Sequence, residues 1–407
     1  MNSFMDDFPQ DSRTDTEAPA PGPLSGITVV DLSRVLAGPY ATMVLADLGA
    51  RVIKVERPGE GDDSRGIGPF KDGKSAYFTS INRGKQSIAL DLKDAGDRQV
   101  FEALLQRADV LVENYRPGTI DKLGYGWPAL HERYPQLIYA AASGFGHSGP
   151  DSRKAAYDMV VQAMGGIMSV TGHPGGPPTR VGTSIGDITA GLFTVIGILS
   201  ALHDRRDSGS GRFVDVAMLD GQIAILENAI ARYAVTGEAP GPLGARHPSI
   251  TPFAAFRCRD AHIVIAAGND SLFRALCDVL GLPDLPGNPR FASNNARSEN
   301  AEALHTVMEA QLETGDAATW LARLDEAGVP AGPLQDVGEA LAHPQVRARN
   351  MAIRTAFEDG TPLTAAGNPV KISGFDDPAT RPKAPALDEH RAAILAELGL
   401  ASGTEQA

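Results

Sequence analysis

Asp187 stands in the run Ser184-Ile185-Gly186-Asp187-Ile188-Thr189-Ala190-Gly191, where a long apolar helical stretch begins. An aspartate at a helix start is ordinarily an N-cap. The same place also suits chemistry. A carboxylate there is held ionised by the helix dipole and by unpaired N–H groups. An ionised carboxylate can attack a thioester. Gly186 permits close approach, and the neighbouring N–H groups are expected to steady an oxyanion. Position alone supports the cap and the nucleophile alike.

Other chemistries find less support. Gly144, Gly146 and Gly149 in SGFGHSGP have G-x-G-x-x-G spacing. The strand before them is late in the chain, Pro150 follows, and no strand ending in an acid comes at the expected distance, so a dinucleotide fingerprint is rejected. A glycine-rich active-site loop is expected instead. There is no G-x-S-x-G elbow. Nine histidines form no HExxH pair, so no metal is expected. His247, in the loop run GARHPS, reads equally as solvated or functional. Cys258 and Cys277 form no CxxC pair and read as buried apolar residues. A reducing, cytoplasmic setting is expected.

These residues need a frame. Strand-like runs at 27–32, 51–56, 87–92, 110–114 and 137–143 alternate with helical ones at 39–48 and 94–107. That alternation predicts an open, mostly parallel α/β sheet. Arg57, Lys93 and Asn114-Tyr115-Arg116 end three of the strands. Ligands of such sheets bind beyond the strands' carboxyl ends, where this cluster would suit a phosphate-rich cofactor. Further helices are expected at 187–205 and 219–236, with a strand at 213–218 between them. A Gly/Pro-rich loop spans 237–252. A smaller α/β unit follows, with a strand at 263–267 and helices near 271–280, 297–313 and 317–327, and the stretch 382–400 ends in a short amphipathic helix.

The chain has 407 residues, 43% hydrophobic and 21% charged, which fits a large domain plus a smaller one. Its net charge of −13 disfavours nucleic-acid and membrane-surface partners. Residues 1–22 are acidic and rich in Pro, Ser and Thr, so a disordered tail is expected, with no secretory or mitochondrial signal. The apolar run 190–202 is too short to span a bilayer comfortably.

The motifs PLSGITVVDLSRVLAGPYATMVLADLGARVIKVERPG, NRGKQSIALDLK, DVLVENYRPG, SGFGHSGP, YDMVVQAMGGIMSVTG and GDITAGLFTVIGILSAL together resemble the class III CoA-transferases of CaiB/BaiF type. That family includes formyl-CoA transferase, the carnitine CoA-transferase and the α-methylacyl-CoA racemases. The resemblance runs from Pro23 to about Leu400. It implies a Rossmann-like large domain built from 23–205 and returning over 331–407. A linker helix region at 206–235 and a small domain at 236–330 would lie between. It implies an interlocked homodimer, and coenzyme A handled as acyl-CoA together with a small carboxylic acid.

On this resemblance the nucleophile falls on Asp187. The CoA-binding positions fall on Val35, Leu36, Ala37, Arg57, Leu90 to Lys93, Asn114, Tyr115, Arg116 and Lys122, with Tyr157 beside them. Two departures stand out. Leu36 replaces a Gln of formyl-CoA transferase, which argues against formyl or oxalyl substrates. Ala155 replaces a Lys, so Arg153 or Lys154 would compensate. The racemases carry His-Asp where this chain has Tyr157-Asp158. Losing a base that titrates near neutrality argues for transfer. The nearest branch resembles succinyl-CoA:glutarate CoA-transferase. Succinyl-CoA with a C4–C6 dicarboxylate such as glutarate is therefore expected. The short loop 244–251 is expected to cover the acceptor, with Arg246 or His247 as donor. The rival readings are a 2-methylacyl-CoA racemase and a non-catalytic CoA-binding protein.

Overall fold

Buried apolar runs build the centre of the chain, whose computed structural model describes residues 21–400. The elements used below are β1 (Thr28–Asp31), α1 (Ala37–Asp47), β2 (Arg51–Glu56), β3 (Gln86–Ala89), α2 (Ala95–Arg107), β4 (Val110–Glu113), β5 (Ile138–Ser143), α3 (Asp158–Met164), α4 (Ile185–Ser208) and β6 (Phe213–Ala217). The six strands form one sheet in the order β3-β2-β1-β4-β5-β6. Every pairing in it is parallel. The α/β class expected from the strand–helix alternation is therefore what forms. The order reverses between β1 and β4, which makes the crevice beyond their carboxyl ends a topological switch point.

Side-chain alternation explains why both faces are covered. Val29, Val52, Val110 and Ile138 point to one face and join Ala41, Leu45, Val195 and Ile198 of α1 and α4. Val30, Ile53, Leu111 and Tyr139 point to the other and meet Phe101 and Leu104 of α2. The returning chain adds Ile394 and Leu395 there, from helix Arg391–Leu398. Its Glu397 carboxylate bonds to the Arg51 guanidinium at 2.6 Å.

Helix α4 runs for 24 residues and stops at Gly209, whose φ of 66° is left-handed. By length and composition it could cross a membrane, unlike the shorter apolar run read from sequence. In the fold its small residues meet neighbours. A Cβ on Gly191 would lie 2.8 Å from the Ala37 carbonyl oxygen, and one on Gly197 would lie 2.4 Å from Val214 Cγ1. The helix expected at 219–236 is two helices, Met218–Ile225 and Glu227–Thr236.

The chain divides into two compact units. The first takes the described residues up to Ile167, Arg180–Ala231 and those from Pro344 onward; the second takes Met168–Thr179 and Arg232–His343. The second unit is built on antiparallel strands Phe253–Arg257 and His262–Ala266, with Ala331–Pro333 beside the latter. The helix expected at 297–313 is split into Asn294–Glu299 and Ala301–Leu312. Arg297 lies wholly buried in the first of these. Its guanidinium donates to Thr251 O, Phe291 O and Asp270 Oδ1, and sits 4.5 Å from the Phe273 ring centre. The tail expected at 1–22 falls, through residue 20, outside the described residues.

Candidate active site

Helix α4 begins at Ile185, so Asp187 is its third residue. Ser184 occupies the cap position and makes no side-chain cap bond. The expected capping role of Asp187 is therefore corrected. The expected ring of open N–H groups is corrected with it. The Gly186 N–H donates to Asp158 Oδ1 at 2.8 Å, and the Ile188 N–H to Ser184 O at 3.0 Å. Asp158 is buried at the start of α3, and its Oδ2 also accepts from Gln162 Nε2 at 2.7 Å. Gly186 makes this contact possible, because a Cβ there would lie 2.7 Å from Val161 Cγ2 and 3.0 Å from Asp158 Oδ1.

The electrostatics of Asp187 follow from this packing rather than from the dipole. Burial, and then the nearby Asp158 carboxylate, push the Asp187 carboxyl up to about 7. Close to neutrality, both the acid and the nucleophilic anion are then present. Tyr77 feels the same charges. Burial and the Asp187, Asp62 and Asp158 carboxylates push its hydroxyl up to about 12, so it stays a neutral donor. Sequence reasoning met Asp158 only as the neighbour of Tyr157 and did not name Tyr77, since both come near Asp187 only through tertiary packing.

The glycine-rich loop follows β5, as expected. Gly146 is left-handed at φ 78°, and its N–H donates to Ser143 Oγ at 2.9 Å. That N–H is already engaged in this structure. The His147 N–H donates to Asp215 Oδ2 at 3.0 Å, and its ring Nε2 stands 3.8 Å from Glu113 Oε1. Glu113 is buried at the end of β4, where it accepts from the Tyr115 N–H and the Tyr139 hydroxyl. Burial pushes its carboxyl up to about 7 despite these donors.

The strand-end residues lie at three kinds of place. Val35, Leu36 and Ala37 form the β1–α1 turn at the switch point, and Asn114 and Tyr115 follow β4 beside it. Asn114 bonds to Arg34 in this turn, and the Arg34 guanidinium lies 5.5 Å from the Tyr115 ring centre. Leu36 packs with Met43 and Ile81, and Val35 and Tyr77 join that cluster. Leu90, just after β3, is buried in the core, and its N–H donates to Glu56 O at 2.9 Å. Arg57, Lys93, Arg116 and Lys122 are exposed, and Arg57 pairs with Glu60. Tyr157 is 78% exposed at the cap of α3. Arg34 and Asp62 in the turn region were not singled out from sequence. Among the described residues, no group of three His, Cys, Asp or Glu could hold a metal ion.

Arg246 and His247 belong to the second unit. Arg246 bridges Ala254, and the His247 ring stacks on Phe253 at 5.3 Å. His247 Nδ1 accepts from the Ser249 N–H at 3.1 Å, which leaves the neutral ring's proton on Nε2.

Comparison with known proteins agrees with this fold. The profile of CoA-transferase family III matches residues 24–391. An acetyl-CoA:oxalate CoA-transferase of Acetobacter aceti is 50% identical over 94% of this chain and 97% of its own. A succinyl-CoA:mesaconate CoA-transferase of Haloarcula hispanica is 39% identical over 95% of this chain and 98% of its own. The human succinyl-CoA:glutarate CoA-transferase is 37% identical over 92% of this chain and 86% of its own. The crystal structure of a CaiB/BaiF family protein from Brucella suis superposes with a TM-score of 0.82 at 41% identity, covering 93% of this chain and all of that one. The doubly wound sheet, the glycine-rich loop and the half-buried aspartate at the start of α4 thus sit in an enzyme that belongs to CoA-transferase family III.

Proposed function

We propose that this enzyme moves CoA from an acyl-CoA to a short dicarboxylate through a covalent intermediate on Asp187. The observation that carries the proposal is the half-buried Asp187 carboxyl poised at about 7, with Asp158 holding the preceding Gly186 N–H. The Asp187 anion attacks the thioester carbonyl, which gives an acyl-aspartyl anhydride and CoA thiolate. The thiolate attacks the aspartyl carbonyl, releasing the donor acid and leaving aspartyl-CoA. The acceptor carboxylate attacks that thioester, giving a second anhydride and the thiolate. Attack of the thiolate on the acceptor's acyl carbon yields the new acyl-CoA and restores Asp187. Each anhydride is a transient higher-energy species, and over the whole cycle one thioester is exchanged for another, so no outside energy source is needed.

The relatives' names fix the range of acids to test. They carry oxalate, mesaconate and glutarate, all dicarboxylates. The sequence reading favoured C4–C6 acids with succinyl-CoA and argued from Leu36 against oxalyl substrates, whereas the relative at 50% identity brings oxalate and acetyl-CoA into the range to test. Arg246 or His247 is proposed to offer the acceptor carboxylate a donor. The exposed Arg57, Lys93, Arg116 and Lys122 are proposed to serve the phosphates of CoA, with Tyr157 beside them.

The test is direct. Asp187→Ala abolishes transfer, and hydroxylamine traps wild-type enzyme mixed with acyl-CoA alone. Near-normal turnover by Asp187→Ala would end the covalent scheme. A racemase would instead exchange the α-proton of acyl-CoA in deuterated water without any acceptor acid.

A homodimer is also proposed. Leu192, Ile196 and Leu199 form a stripe at helical spacing on α4 and are 41%, 57% and 36% exposed. Light scattering on a sizing column should read twice the chain mass, and Ile196→Glu should lower it.

A further inference from the structure

The β1–α1 turn is held by side chains at almost every backbone polar group. The Ser33 N–H donates to Asp31 Oδ1 at 2.9 Å, and Lys54 Nζ donates to Ser33 O at 2.7 Å. The Arg34 N–H donates to Asn114 Oδ1 at 2.8 Å, and Asn114 Nδ2 donates back to Arg34 O at 2.7 Å. The Val35 N–H donates to Asp62 Oδ1 at 3.0 Å. These holders come from the ends of β1, β2 and β4 and from the segment after β2. They are themselves fixed. Lys54 and Asp62 form a wholly buried ion pair at 2.8 Å. Burial alone would raise the Asp62 carboxyl, but the Lys54 ammonium together with the Ser64 and Val35 N–H donors holds it below the ordinary range.

Such a frame has a task. Val35 is left-handed at φ 66°, a conformation that a β-branched residue adopts only under constraint. The next residues, Leu36 and Ala37, open α1, and Gly191 of α4 touches Ala37 there. The shape of this turn is therefore coupled to the first turns of α1 and α4, the latter carrying Asp187.

We propose that Asn114 is a positioning residue for the CoA-transfer site. Together with Asp62 it holds Val35 left-handed, and so fixes the turn against which acyl-CoA lies. Its Oδ1 and one Nδ2 hydrogen engage the two sides of Arg34, so it holds the backbone of the turn itself. The inference rests on the proposed function and on the placement of CoA at this turn that the family resemblance implies.

The experiment uses the full enzyme. Asn114→Ala frees Arg34 and lets Val35 relax to negative φ. KM for acyl-CoA should then rise by about tenfold, the change falling on KM more than on kcat. Glycine adopts left-handed φ without strain. The double variant Asn114→Ala/Val35→Gly should therefore recover a large part of the lost KM. General loss of folding would lower kcat and hydroxylamine trapping together, with no rescue by glycine. The proposal is overturned if Asn114→Ala keeps KM within about twofold of wild type, or if the double variant is no better than the single. Hydrogen exchange of the peptide spanning residues 33–48 separates the two levels. If free CoA fails to protect it in the wild-type enzyme, the placement of CoA is wrong and this proposal falls with it. If CoA protects it while Asn114→Ala leaves KM intact, only the positioning role is wrong.

Discussion

Asp158 Oδ1 accepts the N–H of Gly186 at 2.8 Å, immediately before Asp187. One carboxylate thus both fixes the backbone beside Asp187 and places a like charge near it. The charge adds to burial in raising the Asp187 pKa, while the hydrogen bond fixes the peptide that precedes Asp187.

The pH dependence of acylation follows. With the Asp187 carboxyl at about 7, the reactive anion accumulates as pH rises through that value. Single-turnover acylation by acyl-CoA, followed by hydroxylamine trapping, should rise with pH and level off above it. Asp158→Asn retains an acceptor for the Gly186 N–H and removes the charge. The midpoint of the profile should move to lower pH. The move should be partial, because burial is the larger cause. An unmoved or raised midpoint would show that the Asp158 charge does not reach Asp187.

Stability should carry a separate signature at Glu113. Its folded carboxyl sits near 7 against an ordinary 4.5, raised by burial. Between these values the unfolded chain loses the proton first, so wild-type stability falls as pH rises through the window. Glu113→Gln cannot ionise, and the Tyr139 hydroxyl can reverse to accept from it. Its urea midpoint should match wild type near pH 4 and exceed it near pH 8. A gain that is largest at acid pH would contradict the sign.

Close packing of α1 on α4 predicts a third result. A Cβ at Gly191 meets the Ala37 carbonyl, a backbone atom that no rotamer can move aside. Gly191→Ala should therefore destabilise the enzyme by roughly 1–3 kcal/mol and displace the β1–α1 turn. Thermal melting reads the first effect and KM for acyl-CoA the second. An unchanged KM would mean that the turn tolerates movement of α1.

The second unit offers a fourth. Arg297 satisfies the carbonyls of Thr251 and Phe291 from a fully buried position. Arg297→Met leaves these groups without their donor, and Arg297→Lys cannot span them. Both should lower the melting temperature, the methionine variant by the larger amount. Melting curves that match wild type would remove Arg297 as a structural anchor.

Much of the first unit was readable along the chain. Parallel strands buried on both faces must be apolar nearly throughout, so ITVVDL, RVIKVE and VLVEN announced β1, β2 and β4. The buried partner of Lys54 was not legible. Asp62 lies beyond the strand, and only the fold turns it back under the β1–α1 turn. The break at Glu227 was also hidden, because the residues on both sides suit a helix.

Sequence by itself determined the strand–helix alternation, the start of α4 and the presence of a carboxylate in its first turn. These follow from local periodicity and from residue type. Tertiary structure alone decided what that carboxylate is. Asp158 comes from 28 residues before Gly186 and takes its N–H, while burial outweighs the helix dipole and lifts Asp187 toward neutrality. Desolvation and charge proximity depend on distances in space, and no spacing along the chain encodes them.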